Sequence, residues 1–189
     1  MKGGLPIWVG LLVAVGCGGG GGDAVSTALS PTTYEQSLSN GHPLSVSTDD
    51  PEVIAREDDL TRLTNDYRVS QGLNALIDTS ELRKASRAHS QHMLDHGFFG
   101  HQNPEGQWPW DRAEALGIAF SGYAENLAGG QESAFQAFQD FLASPEHKRV
   151  VEDPDWTHIG CGYAQSLGGL IRYWTQNFKR DRAGSFTSE

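Results

Sequence analysis

The feature that most constrains this chain is a change of hydrophobic period near Thr157. Upstream, Leu82, Ala85, His89 and Met93 recur at helical spacing, with Asp78-Thr79-Ser80 in front as an N-terminal cap signal and Gly97 just beyond His96 as a stop. Downstream, Thr157 to Ala164 alternates apolar with polar or small residues. Ser166 to Gly169 offers turn chemistry, and Leu170 to Phe178 again reads as a strand. Helices in one block and an antiparallel hairpin in another argue for an α+β domain, with helices packed on an antiparallel sheet.

Other elements fit that frame. Leu60, Leu63 and Tyr67 predict a first helix from Glu57, stopped by Gly72. A short helix is expected from Asp111 to Leu116, and another from Glu132 to Ala143, where Phe135, Phe138, Phe141 and Leu142 share a face and Pro145 limits the end. A third strand is expected around Ile118 to Asn126. The folded domain is thus placed at residues 57–180, with a short tail at 181–189.

The N-terminus is of another kind. Lys2 precedes an apolar stretch from Gly3 to Gly16 that is shorter than the roughly 20 residues of a membrane span, and Cys17 follows at once. Residues 1–16 read as an export signal. A lone cysteine after a small residue resembles a bacterial lipoprotein signal, with Cys17 lipidated; an ordinary secretory signal or an uncleaved anchor are the other readings. Each places the domain outside the cytoplasm. From Gly18 to about Arg56 the chain is rich in Gly, Ser, Thr, Asp and Pro, as a flexible tether would be.

Charge and motifs remove several function classes. Lys+Arg 14 against Asp+Glu 24 gives a net charge of -10, which disfavours nucleic acid as a partner. Two cysteines make no disulfide framework. Gly18 to Gly22 follows no strand, Gly129-Gly130 lacks the Lys and Ser/Thr of a phosphate loop, and no Gly-x-Ser-x-Gly elbow occurs. Cys161, mid-strand among apolar neighbours, reads as a buried structural thiol.

Histidines carry the remaining chemistry. His89 lies on an apolar stripe and reads as a hydrogen-bonded core residue. His92 and His96, four apart on a helix, have the spacing of a zinc pair but lack the adjacent Glu of a metalloprotease, and are read as a solvated face. His101 stands in an aromatic loop, His147 where the Glu132 to Ala143 helix breaks, and Glu125 near the end of the third strand. Two imidazoles and a carboxylate converging from three places would bind a divalent cation or form an acid/base pair.

Six ordered segments resemble a bacterial member of the CAP (SCP-like) family of cysteine-rich secretory, antigen 5 and pathogenesis-related proteins. They are Leu82 to Met93, Gly97-Phe98-Phe99-Gly100-His101, Ala124 to Gly130, Ser144 to Arg149, His158 to Tyr163 and Tyr173 to Phe178. The resemblance implies an α-β-α sandwich with a central antiparallel sheet, secretion, and a cleft lined by His and Glu. By that resemblance His101 is the first cleft histidine and Glu125 the carboxylate of a Gly-Glu-Asn motif whose Gly is here Ala124. The remaining pair does not transfer: Tyr173 stands in place of the second His and Ser144 in place of the second Glu. Bacterial members carry Ser-Pro-Gly-His-Arg, matched by Ser144 to Lys148, so His147 would fill the cleft from another side. Tyr173 and Gln176 are further candidates to line it.

Roles attached to the family include lipid or sterol binding, divalent metal binding and proteolysis. The sequence therefore supports an exported, lipid-anchored binding module with a metal, zinc, on His101, Glu125 and His147, and an envelope ligand or lipid as partner. A hydrolase using the same groups is the alternative. A third reading has Glu125 and the two His holding loops together by hydrogen bonds and salt bridges.

Overall fold

A computed structural model of the chain describes residues 47–181 and the backbone of 12–15. Cys17, most of the expected signal and tether, and the tail beyond Asp181 lie outside the described residues.

Among the described residues, five helices and five strands follow one another as β1 (Leu12–Val15), α1 (Pro51–Ser70), β2 (Ile77–Asp78), α2 (Ser80–His96), α3 (Pro109–Ala115), β3 (Gly122–Gly129), α4 (Ala134–Ala143), α5 (Pro145–Glu152), β4 (His158–Gln165) and β5 (Arg172–Arg180). The sheet order is β1-β3-β5-β4-β2. All neighbours are antiparallel except the two-residue β2, which runs parallel to β4.

Local chemistry sets the helix ends. Helix α1 starts at Pro51 rather than Glu57, because the Asp50 carboxylate accepts the Glu52 N–H and proline tolerates the first helical position. Thr79 caps α2, and Gly97 closes it in the left-handed region at φ 65°. Pro145 does more than end α4: placed at the first helical position, it opens α5 and puts His147 in that helix's first turn. The third strand begins only at Gly122, since the Ile118 N–H is taken by the Ala113 carbonyl at the end of α3.

The alternation of each strand builds two layers on the sheet. On one face, α1, α4 and α5 close a large core holding Leu60, Phe138, Phe141, Val151, Cys161, Tyr163, Trp174 and Phe178. On the other, α2 and α3 close a smaller one with Leu82, Ala85, Ala113, Ile118 and Tyr123. Together they make the expected α-β-α sandwich. Helix α2 lies so close to β4 that a Cβ at Gly160 or Gly162 would overlap the helix backbone at Leu82-Arg83 or Ser86-Arg87. That proximity lets the Ser86 and Ser90 hydroxyls donate to the Gly160 and Gly162 carbonyls at 2.8 and 3.2 Å.

Candidate functional site

Glu125 is the centre of the small-core face. Its side chain is fully buried from β3, and both oxygens are engaged: Oε1 lies 2.9 Å from His101 Nδ1, and Oε2 accepts from Arg112 Nη2 at 2.8 Å. Arg112, from α3, also donates through Nη1 to the carbonyls of His101 (2.7 Å) and Gln107 (3.1 Å). One guanidinium thereby clamps the loop between α2 and α3 onto the strand, with charge-assisted bonds at both ends.

His89 completes the cluster. As expected for a core histidine it is fully buried, and its Nε2–H donates to the Gly100 carbonyl at 3.0 Å. The same nitrogen is 3.7 Å from Glu125 Oε1. Burial, then the nearby Arg112 charge, pushes the His89 pKa down to about 3. His89 is therefore neutral at pH 7, and Arg112 is the cation that Glu125 sees. Burial alone would raise the Glu125 pKa, but Arg112, then His89 once it is protonated in acid, and the His101 hydrogen bond outweigh it and hold the carboxyl at about 2.

The five residues singled out in the sequence do not converge. His101, only 5% exposed, and Glu125 meet, and Tyr173 shares their face of the sheet, stacked on Phe99 with ring centroids 5.5 Å apart. His147 and Gln176 lie across the sheet. Asn126, which follows Glu125 and so points the other way, donates to the His147 carbonyl at 3.3 Å and to Gln176 Oε1 at 3.2 Å. Gln176 in turn donates to Thr64 of α1 at 2.7 Å, and the His147 ring packs edge-on against Phe141 in the large core. A shared metal on His101, Glu125 and His147 is excluded by that placement. At Glu125 itself the guanidinium already supplies the positive charge that a metal would bring, so the residues present do not fit one.

Cys161 is buried, with its thiol pushed up to about 12 by desolvation, and is inert. His92 is also buried, not part of a solvated face.

Beside the cluster runs an open groove of about 760 Å³ between β5, the end of β3 and α4. Phe99, Phe135, Leu170, Ile171 and Tyr173 supply its apolar walls, and Gln131, Gln136, Gln139, Asp140 and Arg172 its polar ones. Leu170 is 89% exposed, Phe135 59% and Ile171 47%. Of the residues singled out in the sequence, Tyr173 alone lines it. Arg112 and the groove went unseen because neither an ion-pair partner nor a set of exposed apolar side chains leaves a spacing pattern. The Phe98-Phe99 pair was the one available hint.

The fold is a three-layer sandwich with a buried His–Glu–Arg cluster and an open groove at its side. Residues 61–178 match the family model described as the cysteine-rich secretory protein family, and the chain belongs to that CAP family. It is similar to the uncharacterized protein YkwD of Bacillus subtilis, 34% identical over 157 residues, covering 82% of this chain and 57% of YkwD. It is also similar to the uncharacterized membrane protein YlbC of the same organism, at 29% identity over 65% of this chain and 34% of YlbC. The chain thus spans little more than half of one curated relative and a third of the other. Among solved structures, an extracellular SCP-domain protein from Bacillus anthracis superposes with a TM-score of 0.62 at 25% identity, over 67% of this chain and 41% of that one. An outer surface protein from Borrelia burgdorferi shares the fold, with a TM-score of 0.64 at 22% identity over 75% of this chain and 99% of that one.

Proposed function

We propose that this CAP domain is an exported binding module whose ligand lies in the groove walled by Phe99, Phe135, Leu170, Ile171 and Tyr173. The Glu125 cluster is the brace that holds one wall in place. The observation that carries this reading is the gathering of exposed large apolar side chains around a single open groove, where a folded domain ordinarily keeps such patches small. Its mixed lining suits a ligand with an apolar body and polar ends, such as a lipid. Export is supported by the N-terminal apolar stretch and by likeness to the extracellular protein of Bacillus anthracis. Lipidation of Cys17 would then tether the domain to a membrane, and a Cys17→Ser variant should be released from the membrane fraction.

The hydrolase reading has less support. A general base needs a pKa near the working pH and a free lone pair. Glu125 has both oxygens engaged and a pKa of about 2.

Displacement of anilinonaphthalene sulfonate by oleate, followed by fluorescence, tests the groove. The wild-type chain should bind the dye saturably and release it to oleate. Leu170→Asp should lose at least about 1 kcal/mol of that affinity while its stability stays within about 0.5 kcal/mol of wild type. Dye binding unaffected by that charge would remove the groove from the function.

A further inference from the structure

A second group of ionisable side chains stands apart from the Glu125 cluster. His92 and His96 face the same way from the last turns of α2, with ring centroids 4.2 Å apart. Glu105 reaches them from the loop between α2 and α3, its Oε2 3.4 Å from His92 Nε2. One nitrogen from each His and one Glu oxygen all lie within 4.8 Å of one another, the single grouping of its kind among the described residues.

One of these separations already matches a small cation. Two ligands each about 2.0–2.1 Å from a tetrahedral zinc stand about 3.4 Å apart, the separation seen between His92 and Glu105. The orientation of the His96 ring suits it too. His96 Nδ1–H donates to the His92 carbonyl at 3.2 Å, which leaves the lone pair on Nε2; this is the outer hydrogen bond that metal-bound imidazoles ordinarily make. His92 is buried edge-on against Phe98, and its Nδ1 has no hydrogen-bond partner.

Glu105 is pre-positioned by its own turn. The Gly106 N–H donates to the Asn103 carbonyl at 2.9 Å, Gly106 takes φ +83°, and Asn103 Oδ1 accepts the Gln107 N–H at 2.7 Å. The neighbouring Asp95 is held by Gln91 at 2.7 Å.

We infer that His92, His96 and Glu105 form a binding site for one divalent transition-metal ion of the zinc class, with a fourth position open to water. The family resemblance points any metal to His101 and Glu125 instead, where Arg112 takes the cation's place. Met93 follows His92 where a metalloprotease would carry its catalytic Glu. The ion would therefore act as a staple, joining the end of α2 to the loop that supplies Phe99 to the groove and His101 to Glu125.

Calorimetric titration of zinc chloride into the chelator-treated full chain provides the test, with thermal melts and cobalt(II) absorption as second readouts. Expected are saturable one-to-one binding, a rise in melting temperature with zinc, and the visible bands of four-coordinate cobalt. His96→Ala and Glu105→Gln change exposed side chains, so their circular dichroism should match wild type while zinc binds more than about ten-fold more weakly and the cobalt bands fade. Absence of saturable binding at millimolar zinc would overturn the site. So would binding that survives both substitutions unchanged.

Discussion

Strand β3 sends Glu125 to one face of the sheet and Asn126 to the other, and the two faces settle the burial of polar groups in different ways. Toward α2 and α3, a full negative charge is buried beside a full positive one, with His101 and His89 filling the remaining space. Toward α1, α4 and α5, a neutral chain runs from Asn126 through Gln176 to Thr64 beside the large apolar cluster. The neutral chain loses less when one member goes, because only a neutral group is left unpaired. The ionic cluster is all or nothing, because removing either charge strands the other where water cannot reach it. On the proposed reading, that contrast gives the His–Glu pair a structural task, holding the loop from Gly97 to Trp108.

The largest expected break in the comparison is Arg112→Ala. It should cost about 3–5 kcal/mol in denaturant unfolding, the usual penalty for an orphaned buried charge. Acid sharpens the same contrast. His89 titrates at about 3 in the folded chain against 6.5 ordinarily, so the unfolded chain takes up a proton that the folded one refuses. Stability from this group is complete above pH 6.5 and falls by about 1.4 kcal/mol per pH unit below it, or about 3 kcal/mol by pH 4.5. Glu125 adds its own loss, confined to the range below about pH 4.5. A His89→Gln variant, which can still donate to Gly100, should flatten the upper limb in urea melts between pH 7 and 4.5. The smallest effect belongs to the neutral face: Thr64→Val, which removes the acceptor for Gln176, should cost about 1–3 kcal/mol, the penalty for a neutral buried donor left unpaired. A cost for Thr64→Val equal to that for Arg112→Ala would erase the distinction.

Much of the scaffold was legible in the sequence. Helix α2 was announced by its caps and apolar stripe, the β4–β5 hairpin by its alternation, and the sandwich by the family motifs. What alternation also encodes, and single motifs do not, is the face. Glu125 and Gln176 occupy positions of opposite parity in the β3–β5 register, which pairs Glu125 with Asn177 and Asn126 with Gln176. They were thus bound to diverge, and a reading by strand register would have separated them. Helix α5 is hidden in the sequence because a proline after a helix marks a stop and a start equally well, and Pro145 is both. The dependence of Glu125 on Arg112 was invisible for a different reason: burial decides whether a carboxylate needs a cation, and burial is a property of the packed layers. His92 and His96 had the right spacing for a metal, but their third ligand comes from a turn whose direction only Gly106 and Asn103 determine.

The central claim, that Glu125 is a saturated brace and not a base, is tested most directly by a carbon-13 NMR titration of its carboxyl group in the folded chain. The account predicts no titration between pH 7 and pH 4, in keeping with a pKa of about 2. A midpoint at pH 5 or above would contradict it and return Glu125 to the list of groups able to take a proton from water.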